Sequence, residues 1–201
     1  MPLIHKLRNI DGIELSGDRD ERIIRDNKWV RGLNRGDKKC FEKIYKCYYT
    51  QLYNFLFRYT RSEELIEDII QDVFYNVWQN RKKMEPRGTL KAYLFTAVRN
   101  QAFKKIESEK KFDNNEIELS GFEEINCVPP DGSYEFKELK KAYQEAVQKL
   151  PEKRRNIYLM HREDNLTYGE IADILSISIK TVETQMSRSL KFLAIYLGKY
   201  R

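Results

Sequence analysis

Apolar residues recur at intervals of three and four along the middle of the chain, which is the spacing of one face of an α-helix. This spacing predicts helices over 37–59, 63–79 and 90–106, and Ser62 is the expected N-cap of the second. One stripe of the first helix is rich in aromatic side chains, which we interpret as core packing: Phe41, Tyr45, Tyr48, Leu52, Phe55 and Tyr59.

A second set of helices is predicted in the last third of the chain, beginning with a helix over 136–150. Thr167 and Glu170 have the spacing of a capping box at the start of a short helix. Ser178 is the expected N-cap of a longer helix over 179–197. Two helices joined by a tight turn, with small residues where they touch, are typical of a helix-turn-helix.

The last predicted helix has two distinct faces. Its inner face is expected to carry Val182, Met186, Ser189, Leu190, Leu193 and Leu197. Its outer face carries Lys180, Thr181, Thr184, Gln185, Arg188 and Lys191. Arg and Gln read base edges while Lys and Thr contact phosphates, so this face predicts a DNA recognition helix.

The alternative to a DNA recognition helix is an ordinary helical hairpin with a solvated face. Ser176 favours the alternative, because the left-handed conformation expected in the turn costs a non-glycine residue about 1–2 kcal/mol.

Charge divides the 201-residue chain into four segments, although its overall net charge is only +6. The net charge is −1 for 1–27, +9 for 28–106, −7 for 107–135 and +5 for 136–201. The acidic segment lacks a sustained apolar period and contains several Gly and Pro residues, so it is predicted to be a linker. We therefore expect an all-α protein, in which a loosely ordered N-terminal extension precedes two small helical domains joined by a flexible acidic linker.

Composition excludes several classes of protein. The mean hydropathy is −0.71 and no apolar run is long enough for a membrane span, so membrane insertion is not expected. The N-terminus lacks the apolar core of a signal peptide. Three cysteines (Cys40, Cys47 and Cys127) and two distant histidines (His5 and His161) form neither a disulfide framework nor a metal pattern. We expect no metal and no cofactor, and a location in the reducing cytoplasm.

Two faces within 28–106 carry candidate binding chemistry. On the helix over 63–79, a stripe without Lys or Arg lies opposite the apolar face; this acid–amide stripe comprises Asp68, Gln71, Asp72, Tyr75 and Gln79. In so basic a segment, the lack of Lys and Arg in the stripe is a sign of docking by a basic partner; the alternative is a merely solvated face. The helix over 90–106 interleaves rings with polar and cationic groups: Tyr93, Phe95, Arg99, Asn100, Phe103, Lys104 and Lys105. Such a pattern suits single-stranded nucleic acid, since rings stack on bases and cations hold phosphates. The alternative is that the rings belong to the core.

Three segments of the chain resemble sigma-70-type factors of RNA polymerase. The segment 68–78 resembles region 2.2, 93–100 resembles the helix of regions 2.3–2.4, and 150–193 resembles region 4 with its helix-turn-helix. Their order, the linker and the chain length resemble the small extracytoplasmic-function (ECF) subgroup, which keeps only these two domains.

The resemblance implies a partner for each surface. Docking on the clamp helices of the largest polymerase subunit is implied for Asp68, Gln71, Asp72, Tyr75 and Trp78. Contact with the melted −10 promoter element is implied for Tyr93, Arg99, Asn100, Lys104 and Lys105, and a pocket for one flipped base for the loop 82–92 with Asn100. Recognition of the −35 element as duplex is implied for Lys180, Thr181, Thr184, Gln185, Arg188 and Lys191. Further implied partners are the polymerase flap and a membrane-bound anti-sigma protein.

These features predict a sigma factor that binds core RNA polymerase and directs promoter recognition, −10 melting and transcription initiation. Such a subunit makes and breaks no covalent bond, so no catalytic residue is expected. One alternative is a dimeric helix-turn-helix regulator that binds duplex DNA without polymerase. Another is an enzyme, for example a nuclease that uses Asp68 and Asp72, one helical turn apart, as metal ligands.

Overall fold

The computed structural model describes residues 16–86, 88–112 and 134–198, and every element within them is helical. They form two compact units. The first unit contains α1 (Ser16–Asn34), α2 (Lys38–Phe57), α3 (Glu63–Gln79), a short 3₁₀ helix (Arg81–Lys83) and α4 (Leu90–Phe112). The second contains α5 (Tyr134–Gln148), α6 (Glu152–Arg162), most of α7 (Tyr168–Leu175), and α8 (Ile179–Leu197). The all-α prediction is confirmed over these residues.

The first unit is built around α2, which packs against α1, α3 and α4. Helices α2 and α3 begin where the sequence predicted, since Asp37 caps α2 by accepting from the Lys39 amide and Ser62 caps α3 by accepting from the Leu65 amide. Four members of the aromatic stripe are buried as expected: Tyr48, Leu52, Phe55 and Tyr59. The Phe55 ring lies edge-on to Phe95 of α4 at 5.0 Å between centroids, which joins the two helices in one core.

The segment 1–27 was expected to be a loosely ordered extension, but its second half belongs to α1. The inward positions of α1 are Arg22, Asp26, Val30 and Leu33, all of which are buried. Two of the four are charged, so the apolar period is interrupted and the sequence pattern hides the helix. The Tyr48 hydroxyl of α2 donates a hydrogen bond to the Asp26 carboxylate inside the unit. Residues 1–15 lie outside the described part of the chain.

The acidic segment 107–135 carries helix at both ends, because α4 continues to Phe112 and α5 begins at Tyr134. The stretch 113–133, which holds most of the predicted flexible linker together with Cys127, lies outside the described residues. Among the helices that the structure does describe, none is both long enough and apolar enough to cross a lipid bilayer.

The second unit contains the predicted helix-turn-helix. The Thr167 amide donates to Glu170 Oε2 at 2.9 Å and the Glu170 amide donates to Thr167 Oγ1 at 3.2 Å, which confirms the capping box at the start of α7. Ser176 has φ +54°, the left-handed conformation expected in the turn. Ser178 accepts from the Thr181 amide and caps α8.

The inner face of α8 differs from the prediction at one position. Leu190 was placed on that face, but it is 50% exposed. Ser189, which was also predicted on that face, is fully buried, and its hydroxyl donates to the Gln185 carbonyl at 2.9 Å. Since the helix turns by about 100° per residue, burial of Ser189 carries Leu190 out to the surface. The other predicted inner residues are buried: Val182, Met186, Leu193 and Leu197.

Asp26→Ala should lower the free energy of unfolding by about 1–3 kcal/mol, because it leaves the buried Tyr48 hydroxyl without its acceptor. Chemical denaturation monitored by circular dichroism measures the change. The matched control is Asp20→Ala, an exposed carboxylate on the same helix, which should shift stability by less than about 0.5 kcal/mol. Equal effects of the two substitutions would show that the buried hydrogen bond is unimportant.

Ser176→Gly should raise the free energy of unfolding by about 0.5–1 kcal/mol, because glycine adopts positive φ without the strain that Ser176 bears. The same substitution at Ser187, an exposed position within α8, should lower it by about 0.5 kcal/mol. Thermal and urea denaturation measure both variants. A loss of stability in Ser176→Gly would contradict the interpretation of the turn.

Candidate nucleic-acid interface

The outer face of α8 gathers the six residues predicted for duplex recognition. With about 100° between successive residues, all six fall within an arc of about 140°. Four of them are exposed, namely Lys180, Thr181, Arg188 and Lys191. Thr184 and Gln185 are half-buried. The structure therefore places a continuous polar and cationic strip on the second helix of the helix-turn-helix.

Neighbouring side chains orient several groups on this strip. Lys180 Nζ lies 3.2 Å from Glu183 Oε2, and Thr184 Oγ1 donates to the Lys180 carbonyl at 2.8 Å. Gln185 Oε1 accepts a hydrogen bond from Arg154 Nε of α6 at 3.3 Å. Arg154 was not among the predicted site residues, although it belongs to a basic run at the start of α6. Its contact holds the Gln185 amide in one orientation and adds a cation beside the strip.

A second candidate surface lies on α4 in the other unit. Five residues fall within an arc of about 140° on this helix: Tyr93, Arg99, Asn100, Phe103 and Lys104. Tyr93 and Phe103 are 37% and 43% exposed, whereas Phe95 is fully buried. The alternative that these rings belong to the core is therefore right for Phe95 and wrong for Tyr93 and Phe103.

Phe103 is a member of this surface that the predicted site omitted. The Arg99 guanidinium lies over the Phe103 ring at 4.8 Å from its centroid, and the ring meets Tyr59, in the turn after α2, edge-on at 5.7 Å. These contacts hold one face of the ring in place while the remainder is open to solvent. A fixed ring next to a cation is a suitable platform for stacking of an unpaired base.

Lys105 was predicted with this surface but lies on the flank of α4, about 100° beyond Lys104. Its ammonium bridges two carboxylates of the acid–amide stripe, 3.0 Å from Asp68 Oδ2 and 2.8 Å from Asp72 Oδ2. Gln101 Nε2 donates to the same Asp72 oxygen at 3.0 Å. We call Asp68, Asp72, Gln101 and Lys105 the Lys105 cluster. The residues predicted for two different partners thus meet at one seam between α3 and α4.

Contacts within the Lys105 cluster shift the pKa values of Asp72 and Lys105. The hydrogen bond from Lys105 lowers the pKa of Asp72; burial opposes the shift and Gln101 adds to it. Burial acts to lower the pKa of Lys105, but the hydrogen bonds to Asp72 and Asp68 outweigh it, so that pKa is raised. The ion pair is therefore present over the whole neutral range of pH.

The remaining residues predicted for polymerase docking are divided between two sides of α3. Gln71 and Tyr75 are exposed beside the two carboxylates. Trp78 is half-buried, with its ring 5.3 Å from Phe41 of α2 and beneath the Arg81 guanidinium at 4.4 Å. Trp78 therefore supports the helix from the α2 side, whereas the acidic pair faces α4.

The loop 82–92, implied to line a base pocket, is attached to the body of the unit. Asn34 Nδ2 donates to the Met84 carbonyl at 3.2 Å, which fixes the loop to the end of α1. Lys82 and Lys83 are exposed, while Lys91 is buried at the start of α4. Arg87 lies outside the described residues.

The nuclease alternative is disfavoured by the same seam. The Lys105 ammonium contacts both Asp68 and Asp72, so the two carboxylates already share a cation. Within the described ranges, no three His, Cys, Asp or Glu side chains are grouped as metal ligands would be.

The fold and the two faces define a helical protein with a helix-turn-helix in one unit and an aromatic–cationic face in the other. Two family models match the chain, Sigma-70 region 2 over residues 44–112 and Sigma-70 region 4 over residues 140–193. Together they cover more than half of it. The chain therefore belongs to the sigma-70 family of RNA polymerase sigma factors, with the form of region 4 found in the ECF subgroup.

Solved structures support the same fold. One similar structure is that of CnrH in complex with the cytosolic domain of CnrY. Its sequence is 18% identical, the match covers 87% of this chain and 98% of that chain, and the TM-score is 0.58. A second similar structure is the sigma factor RpoE in complex with the anti-sigma factor NepR from Bartonella quintana. Its sequence is 21% identical, the match covers 81% of this chain and 99% of that chain, and the TM-score is 0.56. No curated protein sequence matches the chain.

Lys105→Met should raise the pKa of Asp72 toward its ordinary value, because Lys105 is the main cause of its depression. In the wild-type protein, the Lys105–Asp72 pair stabilises the fold fully at pH values above the pKa that Asp72 has in the unfolded chain. That stabilisation is lost as the pH falls through the lower pKa that Asp72 has in the folded protein. The variant should lose that dependence. A carboxyl ¹³C NMR titration measures the shift, with Lys104→Met as the matched control. An unchanged Asp72 pKa in Lys105→Met would contradict the geometry.

Proposed function

We propose that this sigma factor docks on core RNA polymerase through the acid–amide stripe of α3, holds the melted −10 element on α4 and reads the −35 element with α8. The observation that carries the proposal is the pairing of two different nucleic-acid faces in one chain. The face on α8 suits the edges of duplex DNA, and the face on α4 suits unpaired bases.

The α8 strip supplies both kinds of duplex contact. Arg188 and Gln185 have the donor and acceptor geometry for base edges in the major groove, worth about 1–3 kcal/mol of discrimination for each good pair. Lys180 and Lys191 are exposed cations placed to contact phosphates. Phosphate contacts make the affinity fall steeply with salt, while the base contacts supply the sequence preference.

The α4 face supplies capture of single-stranded DNA. Tyr93 and Phe103 present partly exposed rings, and stacking of one base on one ring contributes about 1–3 kcal/mol. Unstacking a base costs a few kcal/mol, so two such contacts together with Asn100 and Lys104 offset the cost. Melting then follows from binding, and the chain supplies no chemical step.

Polymerase docking makes the two DNA contacts cooperative. Once α3 lies on the clamp of the largest subunit, and region 4 on the flap, the second DNA contact becomes an intramolecular event at high effective concentration. A basic partner surface suits α3, because its exposed stripe carries carboxylates and amides and no cation of its own. The site of action is the cytoplasm, where polymerase and promoter DNA meet.

We extend the proposal to an inhibitory partner. The similar structures of CnrH and RpoE hold the cytosolic domain of CnrY and the anti-sigma factor NepR. By analogy, this chain is held inactive by an anti-sigma protein, one that is anchored in the membrane and presents a cytosolic domain. The dimeric regulator is not favoured by the two family matches; it would require tight binding of duplex DNA by a homodimer without polymerase.

Asp72→Lys should weaken binding to core polymerase at least tenfold, because it places a cation where a basic partner surface docks and beside Lys105. A pull-down with purified core polymerase and run-off transcription from a library of promoter fragments measure the effect. The matched control is Glu42→Lys, which reverses an exposed carboxylate on α2. Circular dichroism checks that both variants remain helical.

Two results would overturn the proposal. Unchanged core affinity of Asp72→Lys would remove the docking surface. Failure of the wild-type chain to stimulate initiation above core polymerase alone, together with tight duplex binding by a homodimer, would favour the regulator.

A further inference from the structure

The Lys105 cluster joins the two surfaces that the proposed function assigns to polymerase and to DNA. Lys105 belongs to α4, the helix that carries the single-stranded DNA face, but its ammonium is bound by two carboxylates of α3. Its side chain is 23% exposed, whereas the side chains of Asp68 and Asp72 are 66% and 46% exposed. The cation is therefore the covered member of the cluster, and the carboxylates are the accessible ones.

The cluster has an unbalanced charge that leaves it open to a further cation. Two carboxylates face one ammonium, so the set keeps a net negative charge and still attracts a basic group from outside. Gln101 already occupies part of the hydrogen-bonding capacity of Asp72 Oδ2. A basic group that approaches these exposed carboxylates therefore competes directly with Lys105 for the same oxygen atoms.

Lys105 can reach a second position once its partners are taken. A lysine ammonium sits on a flexible four-carbon stem with three rotatable donors, so it can turn away from the seam without movement of the backbone. Its immediate neighbour Lys104 is exposed on the DNA face of the same helix. A released Lys105 lies close enough along the helix to add a cation to the flank of that face.

We propose that Lys105 is a switch residue, held by Asp68 and Asp72 in the free protein and released toward single-stranded DNA when a basic group of polymerase takes its place. This inference rests on the proposed function. Binding of polymerase and capture of DNA are then coupled, and by linkage each strengthens the other by the same factor. The free chain correspondingly has a lower affinity for single-stranded DNA.

Removal of the two carboxylate charges imitates the release. Asp68→Asn with Asp72→Asn should strengthen binding of the free full-length chain to a fluorescein-labelled, mixed-sequence single-stranded oligonucleotide by about three- to tenfold. The gain should disappear when Lys105→Met is added and persist when Lys104→Met is added instead. Fluorescence anisotropy measures the affinities, and Asp72→Asn alone serves if the double variant is poorly folded.

A complementary measurement uses the intact complex. Lys105→Met should leave the affinity of the free chain for the oligonucleotide within about twofold of wild type and weaken it about three- to tenfold in the complex with core polymerase. If the tighter oligonucleotide binding of the Asp68→Asn, Asp72→Asn variant persists after Lys105→Met is added, it is a general charge effect. That result would overturn the switch. An equal effect of Lys105→Met with and without polymerase would also overturn it.

The switch and the proposed function fail in different ways. If the wild-type chain supports promoter-dependent initiation and the variant effects are additive, the switch is wrong and the proposed function stands. If the wild-type chain supports no initiation with core polymerase, the proposed function fails, whatever the variants do.

Discussion

Packing of α3 against α4 is the constraint on which the chemistry of the first unit depends. Both helices bury a row of apolar side chains in the common core, including Ile66 and Ile70 on α3 and Leu94 and Val98 on α4. This leaves the acid–amide stripe and the aromatic–cationic face on adjacent outer surfaces. The Lys105 cluster lies along the polar edge of the same seam, so the position of one surface determines the position of the other.

The second unit depends on a tight turn rather than on a charged seam. Reciprocal hydrogen bonds between Thr167 and Glu170 fix the start of α7, and Ser176 accepts a strained backbone conformation so that α8 can follow after three residues. In the proposed function, each unit alone makes few DNA contacts, and their combined specificity comes from simultaneous engagement on polymerase.

Local sequence signals were sufficient wherever a helix has an apolar stripe and a polar cap. The bounds of α3, the capping box at Thr167 and the N-cap at Ser178 follow from such signals. The pattern failed for α1, because the charged residues Arg22 and Asp26 occupy its buried face, and Tyr48, which donates to Asp26, is distant in sequence. Lys105 follows Lys104 in the sequence, but helical periodicity turns it about 100° away, and only the tertiary structure shows that its ammonium binds α3. The outer faces of α4 and α8 were thus predictable as surfaces, but the partners of their individual side chains were not.

The most direct test compares the affinity of the wild-type chain for single-stranded DNA with and without core RNA polymerase, and core polymerase alone is the control for its own DNA binding. Anisotropy of a labelled oligonucleotide measures both. We expect binding at least threefold tighter in the complex, because a basic group of polymerase releases Lys105 from Asp68 and Asp72. Equal affinity in the presence and absence of polymerase would contradict it.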